Sequence, residues 1–182
     1  MRETDAVGRH AVREVTRWLW LDPQTRRVRN VEGEPAYQAK DIDLVWRTGA
    51  GEIPLEVKGD RHAETGNFFF ETISNTTTGS PGCFFYTEAT FVFYYFVHPR
   101  RLHILPMPAT REWFLERIER FAERRTTTPV GRGSYATAGR LVPIELVMAA
   151  VSGTRQVSMG EEMDRAAWCP RRCWRQVCSR FR

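Results

Sequence analysis

Lysine is almost absent from this 182-residue chain: Lys40 and Lys58 stand against 25 arginines. Where a fixed positive charge suffices, the sequence writes Arg. Lysine is a different tool, because its compact ammonium can release a proton and a guanidinium effectively cannot. Long apolar runs are also missing. No stretch approaches the ~20 apolar residues of a membrane span, so no membrane partner is expected. The N-terminal residues lack the apolar core of a secretory signal, which makes the cytoplasm the expected location. Cysteine is scarce and unevenly spread. Three of the four (Cys169, Cys173, Cys178) crowd one end, which does not read as a secreted disulfide framework.

What is present fits a globular protein. Apolar residues make up 42% and aromatics 12%, enough for a core and too much for a disordered chain. The net charge of +5 is uneven. Residues 154–182 hold seven Arg against Glu161, Glu162 and Asp164, giving +4. Residues 1–153 hold 18 Arg and two Lys against 19 acids, giving +1. Two regions are expected on this basis, a nearly neutral folded domain over 1–153 and a basic Arg- and Cys-containing tail over 154–182. Nucleic-acid binding by the body therefore needs a local basic surface rather than net charge.

The organising stretch is Lys40-Asp41-Ile42-Asp43-Leu44-Val45-Trp46, a short turn, and Glu52-Ile53-Pro54-Leu55-Glu56-Val57-Lys58. Both arms alternate polar and apolar residues, the period of half-buried strands. A two-residue turn at Gly49-Ala50 suits a hairpin. That register puts Asp43 opposite Glu56 and Asp41 opposite Lys58, and opposed residues share a face. One face then carries Asp41, Asp43, Glu56 and Lys58; the other carries Ile42, Leu44, Leu55 and Val57. Opposed carboxylates repel, which raises a pKa or calls for a cation. Oxygen ligands on rigid strands suit a hard ion such as Mg²⁺. The simpler alternative is an exposed hairpin with a cross-strand Asp41–Lys58 ion pair.

Asp43, then Glu-x-Lys thirteen positions later at Glu56 and Lys58, resembles the PD-(D/E)xK nuclease superfamily. The order of elements extends that resemblance over roughly residues 5 to 105. Ile42 stands where the family pattern has proline. The resemblance implies an α/β fold with a restriction-endonuclease-like core, a central mixed β-sheet flanked by helices. It implies a metal-dependent endonuclease acting on DNA, with Asp43, Glu56 and the Val57 carbonyl holding Mg²⁺, Mn²⁺ able to substitute, and Lys58 positioning the attacking water. It is compatible with a homodimer. A first-helix acid, here Glu14, joins the metal site in some members. Some relatives carry an iron–sulfur cluster on one N-terminal and three C-terminal cysteines; here the N-terminal cysteine is absent and the C-terminal spacing differs.

Elsewhere, Val7, Ala11, Val15, Trp18 and Leu19 predict an amphipathic helix over 5–20, with Arg9, Arg13 and Arg17 along its solvated side. Residues 67–73 read as a third strand, with aromatics covering both faces of a buried sheet. Glu71 interrupts that run. An acid inside a buried strand is expensive unless paired or near a metal, so Glu71 is the fourth candidate site residue. Residues 74–82 read as a polar loop able to touch phosphates. A short helix with Phe84 and Phe85 inward is expected over 83–89. Strands 91–97 and 102–105 are expected to form the structural end of the sheet. A helix is expected over 110–125, a linker-like loop over 126–133, a short strand at 141–144 and a helical turn at 145–151. The competing functional class is a non-catalytic nucleic-acid- or protein-binding module of the same fold.

Overall fold

The computed structural model describes residues 3–130 and 133–168. In chain order the elements are α1 (Glu3–Leu19), β1 (Arg27–Asn30), α2 (Pro35–Gln38), β2 (Leu44–Thr48), β3 (Gly51–Asp60), β4 (Asn67–Asn75), β5 (Ser80–Pro81), α3 (Cys83–Tyr86), β6 (Phe91–Phe96), β7 (Arg101–Pro106), α4 (Ala109–Leu115), β8 (Ala122–Val130), β9 (Gly133–Pro143), α5 (Ile144–Ala150), β10 (Arg155–Ser158) and α6 (Met159–Trp168). The strands form two sheets: a six-stranded one ordered β1-β2-β3-β6-β7-β10 and a four-stranded one ordered β5-β4-β9-β8. The first sheet is mixed. Its β3–β6 pair is parallel and the other pairs are antiparallel. The architecture is thus mixed α/β, with a mixed central sheet and flanking helices.

Both faces of the first sheet are covered, which is why its middle strand reads Phe-Val-Phe-Tyr-Tyr-Phe without polar alternation. On one face, Ala11, Val15, Trp18 and Leu19 of α1 pack against Leu44, Leu55, Val57, Phe93 and Tyr95. The helix crosses β3 closely at Gly59, where a Cβ would come within 2.9 Å of both the Ala11 Cβ and the Val7 carbonyl. On the other face, Val92, Tyr94, Phe96 and Leu105 pack against Phe68, Phe70, Phe84 and Phe114. Phe70 stacks on Phe84 with ring centroids 3.9 Å apart. The Tyr94 hydroxyl donates to Asp60 Oδ2 at 2.5 Å and accepts the Phe69 N–H at 3.0 Å, tying the edge of β4 to the first sheet.

Several expectations are corrected. The third strand, β4, belongs to the second sheet, and the parallel neighbour of β3 is β6. The Ala63–Thr65 3-10 turn and left-handed Gly66 (φ +67) carry the chain out of the first sheet. Phe68 and Phe70 are fully buried on one side of β4, whereas Phe69 points the other way and is half-buried. Strands β6 and β7 are interior, because β10 adds beyond β7. The helix expected over 110–125 stops at Leu115, and the residues after Phe121 form β8. The Thr126-Thr127-Thr128 run is β-branched and pairs with β9 in a long hairpin. The first hairpin arm begins at Leu44, since α2 and a turn with Asp41 at φ 52 occupy the residues before it. Phe85 is 38% exposed rather than inward. Strand β10 and helix α6 lie beyond the expected boundary at residue 153 and are part of the fold: Val157 pairs with Leu102, and Met159 is fully buried. Cys169, Cys173 and Cys178 lie outside the described residues.

Candidate functional site

From Leu44↔Leu55 to Thr48↔Gly51 the β2–β3 hairpin has the register read from its sequence around the Gly49-Ala50 turn. The expected Asp43–Glu56 and Asp41–Lys58 pairs lie beyond its end and are not formed. Ile42 packs with Val31, Val45 and Ala89 rather than with Leu44, Leu55 and Val57. The ladder ends at Leu44. Asp43 then leaves regular pairing while staying attached to β3: its N–H donates to the Leu55 carbonyl at 3.0 Å, and its Oδ2 accepts the Val57 N–H at 2.9 Å. A strand residue's N–H and C=O point to the same edge, so the Val57 carbonyl also points to the β2 edge of β3. Leu55 and Val57 point to α1, which sends Glu56 and Lys58 to the opposite face, beside Val92 and Tyr94.

On that face Lys58 Nζ pairs with Glu56 Oε1 at 2.7 Å. The Glu56 side chain is 3% exposed and that of Lys58 31%. The second Glu56 oxygen, Oε2, is buried with no hydrogen-bond partner among the described residues. Burial pushes the Glu56 carboxyl well above the usual range; Asp43 and Asp41 add to this and Lys58 opposes it. Burial also raises Asp43, against the Val57 N–H and the Lys58 charge, which lower it. For Lys58, burial disfavours the ammonium. The anionic groups around it, Cys83 when ionised with Glu56, Asp41 and Glu71, outweigh that and hold its pKa well above the ordinary lysine value.

Glu71 reaches the same place from the second sheet. Burial raises its carboxyl, Lys58 lowers it, and the Cys83 N–H donates to it. The Gly82-Cys83 step lies flat on β4: a Cβ at position 82 would fall 2.3 Å from the Glu71 carbonyl oxygen, so only glycine fits. The Gly82 N–H donates to the Thr72 carbonyl at 2.8 Å. Helix α3 is held from behind by Arg111, whose Nε donates to the Phe84 carbonyl at 2.8 Å and whose Nη2 donates to the Thr87 carbonyl. The four predicted site side chains (Asp43, Glu56, Lys58 and Glu71) thus lie in one electrostatically coupled cluster.

Two members of the cluster were not among the predicted site residues. Asp41 sits at positive φ, and the buried Thr87 hydroxyl donates to its carbonyl at 2.9 Å. Its Oδ2 is buried without a hydrogen-bond partner among the described residues, and its Oδ1 lies 3.5 Å from the Tyr86 hydroxyl. Cys83 is free, 2% exposed, and part of a trio with Asp41 and Glu56 whose ligand atoms lie within 4.8 Å of one another. The sequence signal for Asp41 was its place on the polar face; Cys83 had none, because its approach depends on the β4–α3 turn. Glu14, the first-helix acid, is not here. It lies across the sheet, where Arg17 Nη1 donates to it at 3.0 Å and Arg100 Nη2 at 2.7 Å. Lys40 makes an exposed ion pair with Glu88 at 2.5 Å.

The second sheet places a cation near the acids. Arg124 of β8 and Glu71 of β4 both pair with Gly139 of β9, so they share one face in one cross-strand row. The Phe69 ring covers the bare Gly139 between them: a Cβ there would be 2.5 Å from the ring. Arg124 is exposed and makes no ion pair among the described residues.

Comparison with family models, with curated proteins and with solved structures returns no match. Among the described residues no helix is long and apolar enough to cross a membrane. Fold and site define a mixed α/β protein with an acid-rich cluster, one lysine at its centre, at the junction of two sheets.

Proposed function

We propose that this chain is a Mg²⁺-dependent nuclease that hydrolyses phosphodiester bonds of DNA, built on a restriction-endonuclease-like core. The observation that carries this reading is the electrostatic coupling of Asp43, Glu56 and Glu71 to the one Lys58 ammonium, with a buried Glu56 oxygen left without a hydrogen-bond partner among the described residues. Four acids, counting Asp41, surround a single ammonium. Burial raises the carboxyls of Asp43, Glu56 and Glu71, and a cation among them would relieve the cost of ionising them. Asp43, Glu56 and the Val57 carbonyl are the residues that would hold Mg²⁺, or Mn²⁺ in its place, and the ion would stabilise charge on the phosphate oxygens.

The chain's own residues divide the remaining work. Asp43 clamps the amide of Val57 and so fixes the β3 backbone beside the acids. Lys58, held protonated by the acids around it, donates a hydrogen bond that orients the attacking water. Glu71, on the opposite wall with a raised pKa, is suited to accept that water's proton. Arg124 and the half-buried Phe69 extend the Glu71 face outward. A guanidinium for phosphate and a ring for a base edge are chemistry that nucleic acid recognises. The proposed setting is the cytoplasm, where a reduced Cys83 persists. The testing experiment is cleavage of duplex, branched and single-stranded DNA by the full chain with Mg²⁺ or Mn²⁺. Cutting that depends on the metal and on Glu56 supports the reading; binding without cutting on every substrate supports the non-catalytic module instead.

A further inference from the structure

We propose that Asp41, Glu56 and Cys83 form a second cation position, selective for a thiophilic divalent ion such as Zn²⁺, whose filling inhibits the site. The inference rests on the nuclease reading only for its inhibitory half; the binding half stands on the trio itself.

The trio offers two carboxylate oxygens and one sulfur within 4.8 Å of one another. The two oxygens left buried without hydrogen-bond partners in this cluster, Glu56 Oε2 and Asp41 Oδ2, belong to two of its three members. Glu56 is 97% removed from solvent, and its other oxygen is already taken by Lys58 at 2.7 Å. The open oxygen is therefore the one left for a ligand. Asp41 is held for this role by its positive φ and by the Thr87 hydroxyl on its carbonyl. Cys83 is held by the Gly82 contact with β4 and by the start of α3.

The donor set decides the metal. Zinc binds sulfur at ~2.3 Å and carboxylate oxygen at ~2.0–2.2 Å in four-coordinate geometry, often with three protein ligands and one open position. Tetrahedral ligands at those distances stand about 3.5 Å apart, so a closing movement of about 1 Å per pair completes the set. Magnesium requires about six oxygens near 2.0–2.1 Å and keeps several waters, which a buried thiol cannot serve. On binding, the Cys83 S–H bond breaks, the proton leaves to solvent, and the sulfur's electron pair forms the bond to zinc. The Lys58 ammonium opposes a nearby cation, but Asp41, Asp43, Glu56 and Glu71 outnumber it.

The regulatory consequence follows from sharing. Glu56 belongs both to the proposed Mg²⁺ ligands (with Asp43 and the Val57 carbonyl) and to the trio. Zinc on the trio takes Glu56 Oε2, the oxygen that Lys58 leaves open, so the hard-ion site loses a ligand while Lys58 keeps Oε1.

The test uses the full chain with Cys169, Cys173 and Cys178 changed to Ser, leaving Cys83 as the one thiol, in metal-free buffer without nucleic acid. Cd²⁺ is the probe, because a cadmium–thiolate bond gives an ultraviolet charge-transfer band. The expected result is a band saturating at one equivalent, absent in C83S, and requiring about tenfold or more Cd²⁺ in Asp41→Asn. Zn²⁺ should bleach it, and millimolar Mg²⁺ should not. No band in the protein that keeps Cys83, or a band indifferent to Asp41→Asn, overturns the site. Circular dichroism and melting of each variant show that it is folded. In a separate arm, Zn²⁺ is titrated into the Mg²⁺-supported cleavage reaction, each variant against its own zinc-free rate. Half-inhibition should move to about tenfold or more Zn²⁺ in Asp41→Asn, and equal inhibition of both overturns the regulatory half. A full band in a protein that cuts no substrate supports the metal position and places the failure in the nuclease reading.

Discussion

The Asp43 carboxylate accepts the Val57 N–H at 2.9 Å, so the acid that leaves the β2 ladder still grips the strand carrying Glu56 and Lys58. One oxygen is spent on the backbone, and the carboxyl remains electrostatically coupled to Glu56. Burial raises both carboxyls and Asp43 raises Glu56 further, while a side-chain hydrogen bond from Glu56 lowers Asp43, so the pair favours holding a proton that a cation can replace. Mg²⁺ should therefore raise the melting temperature by linkage, with the gain growing as the logarithm of its concentration. In Asp43→Asn, which keeps an oxygen for the Val57 amide, that shift should vanish. Calorimetry at increasing Mg²⁺ reads this, and an undiminished shift in the variant would place the ion elsewhere.

Acid should destabilise the fold through His103. This side chain is fully buried, its Nε2 lies 3.1 Å from Gln156 Oε1, and Nδ1 has no partner among the described residues. Burial lowers its pKa to about 4 from 6.5. A depressed folded-state pKa gives stability that is complete above pH 6.5 and lost as pH falls through about 4. The full loss is about 3 kcal/mol by the linkage relation. Asp43, Glu56 and Glu71 have raised pKa values and act in the opposite sense, so His103 must be isolated by comparison. Urea midpoints between pH 7 and pH 4 should fall less steeply in His103→Leu than in the wild type. Parallel slopes in the two proteins would remove His103 from the account.

The basic C-terminal segment should act as an electrostatic binding aid. Residues 169–182 carry five Arg and no acid, while β10 and α6 before them are structural. Trp18 Nε1 donates to Glu162 at 2.7 Å, and the Met159 N–H donates to the Arg100 carbonyl at 3.0 Å. Removing 169–182 should leave the melting temperature nearly unchanged, weaken DNA binding and flatten its salt dependence. Removing 154–182 should unfold or strongly destabilise the protein. Equal stability of the two truncations would contradict the role given to β10 and α6.

Arg124 should contribute one phosphate contact beside Glu71. Arg124→Ala should weaken DNA binding about equally across sequences and reduce the salt slope by about 1. Arg9→Ala lies on α1, across the first sheet from the cluster, and should do neither. Filter-binding or anisotropy titrations across a salt series distinguish them, and a larger effect at Arg9 would move the DNA to the other face.

How far the sequence revealed this arrangement depends on the range of the interactions. The β2–β3 hairpin was legible because its period-2 pattern and two-residue turn are local. The partner of β3 was not, because nothing in Asn67–Asn75 tells a strand which sheet to join; the turn through Gly66 decides it. Residues 110–125 misled because Trp113, Phe114, Ile118 and Phe121 satisfy a helical period, although Phe121 is buried by strand geometry at the start of the β8–β9 hairpin. Glu56 and Lys58 were legible as one polar face of β3, and Asp43 as their neighbour, although it joins them from beyond the end of the ladder. Glu71 was legible only as an acid in an aromatic strand. Cys83 was not legible, since its approach to Glu56 is made by the Gly82 turn.

The most direct test concerns Lys58, the residue where the chain departs from its use of arginine. Single-turnover cleavage in Mg²⁺ should be measured for wild type, Lys58→Arg and Lys58→Ala, with DNA binding assayed in Ca²⁺. Arg should preserve the charge and most of the binding yet slow cleavage at least ~100-fold, because a planar guanidinium cannot reproduce the ammonium's contact with Glu56 and the water. Near-wild-type cleavage by Lys58→Arg would contradict the role assigned to this lysine, and no cleavage by the wild type on any substrate would contradict the nuclease reading itself.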